Sequence, residues 1–295
     1  MKMKKLPFLL PIIGLLTCCE INIPYEPKSL DPNITYDNVY LIMGQSNASG
    51  VSPHIFLKEN EADVYQKYAE GNSKVLISFD TDERIQKDFT PVKFGFGHNE
   101  EFFGPEIGMA ETLSQKEETS YIIKASYSGS CLLTQYVKST GQKLELYKRY
   151  IAFIKEQLKL LESQGKTPRV RGVFWMQGES DASLYPSSGK YLDGERYFIR
   201  YLRSYLNDWI YDYFNFVDAY IYSHGIWNHP EIINSCKEEL SKEDDHFYCI
   251  KTNGEDENAI KLSLKSESDQ GDDAAHYDAE SMLLLGKTAG QYIIK

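Results

Sequence analysis

The sequence predicts an α/β fold in which a mainly parallel sheet is covered on both faces by helices. Two observations carry this. Near-continuous apolar runs at 38–43, 120–125, 170–176 and 216–223 read as strands buried on both sides. Between them lie segments whose apolar residues recur at steps of three and four, the pattern of helices lying on a core. The chain has 295 residues and is 42% apolar, enough for one large domain with a substantial core.

Taken in order, the chain opens with Lys2, Lys4 and Lys5, followed by an apolar run at 6–16 that Pro7, Pro11 and Gly14 interrupt. The run is too short to span a bilayer and reads as an export signal. Leu16-Thr17-Cys18-Cys19 resembles a bacterial lipobox. Cys19 is the expected lipidation site because it places Leu16 three positions before the cleavage; Cys18 is the alternative, and a plain secretory peptide is the competing reading. Residues 20–37 hold three prolines and little periodicity, and read as a tether. The expected organisation is a lipoprotein signal at 1–19, a tether at 20–37 and one domain at 38–295. That places the protein as an exported bacterial lipoprotein of the outer membrane, periplasm or cell surface, touching membrane only through its lipid.

The first strand, 38–43, is followed by a polar region at 52–104, expected to be a long excursion with little regular structure beside the site. Pro105 then opens a helix at 105–116. Leu144, Tyr147, Ile151, Ile154, Leu158 and Leu161 form one amphipathic stripe, and Phe198, Leu202, Tyr205, Trp209 and Tyr213 form another. Residues 231–270 are charged, with short β-like pieces at 247–250 and 260–264, and read as an insertion. A helix at 278–293 closes the chain, with Asp278 as its cap. Cys236 and Cys249 could staple the insertion in an oxidising compartment, leaving Cys131 free.

The net charge is −11 and no basic stripe offsets it, which excludes nucleic acid as a partner. Three short segments carry the chemistry. Gly44-Gln45-Ser46-Asn47 follows the first strand, so Ser46 sits where parallel sheets bind ligands, near backbone N–H groups. Asp273 and His276 lie three apart on a loop, a spacing that lets a carboxylate orient an imidazole toward a serine. Trp175-Met176-Gln177-Gly178-Glu179-Ser180-Asp181 follows another strand; Gln177 could donate to an oxyanion, and Glu179 could orient His276 in place of Asp273. Gly129, in Ser126-Tyr127-Ser128-Gly129-Ser130, offers a second backbone donor. Each segment alone also reads as ordinary capping or loop polarity. Together they supply a nucleophile, an acid–base pair and oxyanion donors, the parts of acyl transfer.

These motifs, with Phe103-Gly104-Pro105-Glu106, resemble the SGNH-hydrolase superfamily, and more closely its sialate O-acetylesterase and family 6 carbohydrate esterase branch. The resemblance spans roughly 38–292. It implies a flavodoxin-like three-layer α/β/α sandwich. It also implies serine-dependent removal of acetyl groups from sugars, with no metal or cofactor, and an acetylated oligo- or polysaccharide as partner. Ser46 would be the nucleophile, His276 the base and Asp273 its partner, with Glu179 still open. Two positions depart from the family pattern. Ser128 stands where a glycine is usual, and Ala48 replaces a larger apolar residue. A non-catalytic glycan-binding lipoprotein and a sugar O-acetyltransferase are the alternatives. Tyr127, Trp227 and Tyr277 are candidates to stack on a sugar ring.

Overall fold

The computed structural model describes residues 26–295 apart from 83, 185–187, 224–225 and 257. The leader, Cys18, Cys19 and residues 20–25 of the tether lie outside the described residues. The strands are β1 (Asp37–Gly44), β2 (Ser52–Pro53), β3 (Asn72–Thr81), β4 (Arg84–Val92), β5 (Phe102–Phe103), β6 (Ser120–Ser126), β7 (Pro168–Met176), β8 (Asn215–Ala219) and β9 (Phe247–Ile250). The helices are α1 (Ser46–Ser49), α2 (Leu57–Asn60), α3 (Ala62–Glu70), α4 (Pro105–Leu113), α5 (Glu145–Ser163), α6 (Glu179–Ser183), α7 (Ser188–Leu206), α8 (Pro230–Glu243) and α9 (Ala279–Ile293).

Seven strands form one sheet in the order β4-β3-β6-β1-β7-β8-β9, parallel except where β4 pairs antiparallel with β3. The five strands β6-β1-β7-β8-β9 run in the flavodoxin-like order, in which the second strand in sequence lies outside the first. Helices α4 and α9 pack together on one face; α5, α7 and α8 cover the other. This is a three-layer α/β/α sandwich. The four apolar runs are strands because both of their faces are covered: every residue of β6 and β7 is buried.

Two expectations change. The polar stretch at 52–104 is not an unstructured excursion. It contributes α3 and the β3–β4 hairpin, which extends the main sheet. The pattern was hard to read because β4 is an edge strand, with half-exposed and exposed residues along most of its length. The segment 231–270 is not an insertion either. Its first part is α8 and its 247–250 piece is β9, so it completes the sheet, whereas 260–264 makes only isolated bridges. Asp278 does cap α9, its side chain accepting the Ser281 N–H at 2.7 Å. The described part of the tether is exposed but docked: the Lys28 N–H meets the Ile210 carbonyl at 3.1 Å, and the Asp212 N–H meets Lys28 O at 2.8 Å.

No disulfide joins Cys236, on α8, to Cys249, on β9. Burial pushes the Cys236 thiol up to about 12 and the Cys249 thiol well above its ordinary value, so both stay protonated.

Two lysines are wholly buried. Lys124 of β6 donates to Glu106 Oε2 at 2.8 Å and to the Phe96 carbonyl at 2.9 Å, while Glu106 Oε1 accepts the Gly104 N–H at 2.9 Å. Lys237 of α8 reaches the carbonyls of Gln177 and Ala219 at 2.6 and 2.7 Å and Asp218 Oδ1 at 2.8 Å. The apolar setting of Lys124 in the run at 120–125 was the only sequence signal for either. Removing one member of such a pair strands a charge in the core. Lys124→Met is expected to lower unfolding free energy by about 3–5 kcal/mol, and pairing it with Glu106→Gln to recover part of the loss, both read from urea midpoints at unchanged slope.

Candidate active site

The site begins where β1 ends. Gly44 has φ +139°, and a Cβ there would lie 2.0 Å from the Met176 carbonyl oxygen, so only glycine lets β1 and β7 approach this closely. The Gln45 N–H then donates to that same carbonyl at 2.9 Å. The chain turns at once into α1, putting Ser46 at its first position with the side chain almost covered. Ser49 N–H is the first to find a partner inside this turn, the Gln45 carbonyl at 2.8 Å, which leaves the Ser46 and Asn47 N–H groups at the helix start without one there.

His276 and Asp273 meet as their spacing suggested: Asp273 Oδ2 lies 2.7 Å from His276 Nδ1. The same oxygen accepts from Lys265 Nζ at 2.6 Å, and Oδ1 accepts the Ala275 N–H at 2.9 Å. Burial pushes this carboxyl up, but Lys265, the Ala275 N–H and the His276 ring outweigh it and hold the group at about 2. An ionised Asp273 on Nδ1 favours the tautomer that leaves Nε2 as the acceptor. Two contacts stitch this loop to the chain leaving α1. Ser52 Oγ donates to the Tyr277 carbonyl at 2.8 Å, and Lys265 Nζ to the Val51 carbonyl at 3.1 Å. Ser46 Oγ and the His276 ring share no hydrogen bond in this structure.

The segment after β7 is a buried polar network. Asn47 Nδ2 donates to Glu179 Oε1 at 2.9 Å, and Glu179 Oε2 is buried with no partner among the described residues. Burial raises the Glu179 pKa; Lys237, Asn47 and His276 oppose it without reversing the direction. Glu179 therefore faces Asn47 and lies within the field of His276, while Asp273 holds the ring nitrogen.

Gln177 departs from expectation. Its side-chain amide donates to Asp181 Oδ2 at 2.6 Å and the Ser130 carbonyl at 3.1 Å, and its oxygen accepts from Tyr191 Oη at 3.0 Å. Both N–H groups are occupied and the residue is fully buried, so Gln177 braces the loop and offers nothing to an oxyanion. Asp181 in turn accepts the Leu132 N–H at 2.7 Å, tying this segment to the turn that follows β6.

In that turn the Ser130 N–H meets the Tyr127 carbonyl at 3.2 Å, the Tyr127 N–H meets the Gly44 carbonyl at 3.1 Å, and Gly129 has φ +68°. The Gly129 N–H has no protein partner among the described residues, and a Cβ there would touch nothing within 4 Å. Asp82, just past β3 with φ +49°, grips the neighbouring residue: Oδ1 accepts the Ser128 N–H at 2.7 Å and Oδ2 the Ser128 hydroxyl at 3.0 Å. Arg149 of α5 holds Asp80 and donates to the Asp82 carbonyl at 3.2 Å.

Sequence reasoning missed Asp82, Arg149, Lys265 and the role of Asn47. The signal was slight: two aspartates in Asp80-Thr81-Asp82 at the end of an unrecognised strand. Tyr277 is fully buried and cannot stack on a sugar; Tyr127 and Trp227 are half-buried.

No curated protein matches the chain in sequence. Among solved structures, a protein from Arabidopsis thaliana is 18% identical with a TM-score of 0.60, covering 88% of this chain and 98% of its own. NanS is 12% identical with the same TM-score and the same two coverages. A carbohydrate acetylesterase from Xanthomonas citri is 16% identical with a TM-score of 0.50, covering 72% of this chain and 49% of its own. At these identities the likeness is one of fold. The family model described as "Carbohydrate esterase, sialic acid-specific acetylesterase" matches residues 36–295, nearly the whole described chain. The chain belongs to this carbohydrate esterase family, within the SGNH and sialate O-acetylesterase superfamily, and is a hydrolase of the esterase type.

Proposed function

We propose that this protein is a serine esterase that removes O-acetyl groups from carbohydrates through an acetyl-enzyme. The observation that carries the reading is the 2.7 Å Asp273–His276 hydrogen bond, on a loop tied by Ser52 and Lys265 to the segment that follows Ser46. His276 takes the Ser46 proton as the hydroxyl attacks the acetyl carbonyl. The developing negative oxygen is held by the Ser46 and Gly129 N–H groups. His276 then protonates the leaving sugar oxygen, and a water activated by the same ring hydrolyses the acetyl-enzyme. Asp273 stays ionised throughout and stabilises the imidazolium.

Glu179 acts from behind Asn47. Its buried carboxyl accepts from Asn47 and leaves Nδ1 to Asp273. The family description and the Xanthomonas citri carbohydrate acetylesterase support an acetylated sugar as substrate, and the family description puts O-acetyl sialic acid first among candidates. Lipidation at Cys19 would hold the enzyme at a bacterial membrane surface, within reach of polymeric acetylated glycans.

The decisive experiment is acetate release across a panel of O-acetylated sialosides, xylan fragments and other glycans. Ser46→Ala is expected to reduce it by about 10⁴-fold or more, with an unchanged melting temperature and loss of labelling by a fluorophosphonate probe. Undiminished release by that variant refutes the proposal. Asp273→Asn is expected to lower kcat by about 10⁴-fold through the wrong imidazole tautomer. It also has a stability signature. The Asp273 carboxyl lies below its ordinary 3.8, at about 2, so it contributes stability that is present above pH 3.8 and lost as pH falls through about 2. The wild-type advantage over Asp273→Asn in urea midpoint should therefore shrink over that interval. Asp82→Ala, which frees Ser128, is expected to lower kcat by about 10²–10³-fold with little change in KM, and Asp82→Asn less, measured by steady-state kinetics.

A further inference from the structure

At the opposite pole of the sheet from Ser46, the first residues of β7 carry two arginines, Arg169 and Arg171, both more than nine-tenths buried. Arg171 occupies an unusual place. Val39 of β1 pairs with Val170 and Tyr40 pairs with Gly172, so Arg171 is the extra residue of a bulge in a parallel pair. Bulges are rare in parallel ladders and re-aim the side chain they carry. With Lys116, just beyond α4, and Asn38 of β1, the arginines line a cavity of about 470 Å³ that residues 30–36 wall on the other side.

The polar groups here are unpaired in a way that the fold does not require. Arg171 makes no hydrogen bond or ion pair to any described residue, and its Nε is buried. Its guanidinium lies 4.4 Å from the Tyr213 ring centroid, a contact that satisfies none of its in-plane donors. Tyr40 Oη, in the field of both arginines, is also buried without a partner, as is Asn38 Oδ1. Arg169 donates to the Tyr211 carbonyl at 3.2 Å, pairs with the exposed Asp212 at 3.4 Å and lies 5.7 Å from the Tyr213 ring centroid. The other carboxylates lining the cavity, Asp31 and Glu118, are exposed, and neither comes within 4 Å of a cation. Burial lowers the pKa of Lys116, Arg169 and Arg171; Arg171 and Arg169 lower Lys116 further and Arg169 lowers Arg171 further, with Glu118 opposing at Lys116 and Asp212 at both arginines. A buried guanidinium costs several kcal/mol unless a partner answers it.

We propose that this cavity is an anion site, in which Arg171, Lys116 and Arg169 bind an oxyanion of the phosphate class. The planar fork of Arg171 presents paired donors to such a group, and Lys116 adds a point charge. The phosphate can be free or the headgroup of a lipid. About five residues of β7 separate Arg171 from Met176, roughly 15–20 Å, so the site is distinct from the esterase centre and does not depend on its assignment. Because residues 30–36 form one wall, an occupant would clamp the N-terminal segment onto the domain.

The test is the melting temperature of the full chain titrated with inorganic phosphate, at ionic strength held constant with chloride. A ligand that binds only the native form raises it progressively with concentration. Wild type is expected to respond. Arg171→Met should lose the response, with an affinity at least tenfold weaker, and should be no less stable than wild type without phosphate because it removes an unanswered buried charge. Lys116→Gln, on a half-buried residue, should weaken the response several-fold and serves if Arg171→Met does not fold. Acetate release should be unchanged in both. Dihexanoyl phosphatidylglycerol below its micelle concentration identifies the source. A response at lower concentrations than inorganic phosphate assigns the site to a headgroup; the reverse order assigns it to free phosphate. No response of wild type beyond the chloride control, or an undiminished response in the variants that fold, overturns the proposal.

Discussion

The close approach between Gly44 at the end of β1 and the Met176 carbonyl at the end of β7 is the constraint on which the site is built. That carbonyl accepts the Gln45 N–H, and the Gly44 carbonyl accepts both the Tyr127 N–H and the Tyr136 hydroxyl, the latter at 2.9 Å. Three loops leaving β1, β6 and β7 are thereby indexed to one backbone position. In the flavodoxin-like order the connections diverge here, to β6 on one side and β7 on the other, which opens the crevice where open α/β sheets hold their ligands. A side chain at position 44 would push β1 from β7 and displace Ser46, the Gly129 turn and Glu179 together.

Around that point the polar groups fall into two electrostatic settings. Asp273 lies on a partly open loop with three donors and stays far below the usual carboxylate range. Glu179 is enclosed by protein, has one donor on one oxygen and none on the other, and is pushed up. Two carboxylates whose environments drive them apart can take different roles near one histidine. The one on Nδ1 orients the ring and answers its charge. The enclosed one, through its hydrogen bond with Asn47, steadies the turn that holds Ser46.

Rigidity behind the site comes from satisfied burial. Lys237 bridges the Gln177 carbonyl to Asp218, Gln177 bridges Asp181 to the turn after β6, and Gln45 Oε1 lies 3.4 Å from the Gly178 and Ser180 N–H groups. All but the Gln177–Asp181 link join residues distant in sequence, and each leaves a polar atom unpaired if it breaks. The residues of the segment after β7 thus hold the neighbouring loops in register.

The sequence by itself determined the elements that bury both faces and the loops that carry the reacting groups. Near-continuous apolar runs of strand length, alternating with amphipathic helical stretches, point to strands covered on both faces, and an aspartate three residues before a histidine reaches its ring through local geometry. Tertiary structure alone decided the rest. The β3–β4 hairpin was hidden because an edge strand need not be apolar. Asp82 joined the site only because β3 ends beside β6. The amide of Gln177 looked available until Asp181 and Ser130 arrived to occupy it, and Tyr277 looked open until the fold buried it. A side chain's type and its near neighbours are written in the chain; whether its hydrogen bonds are free for a ligand depends on which distant groups the packed fold brings against it.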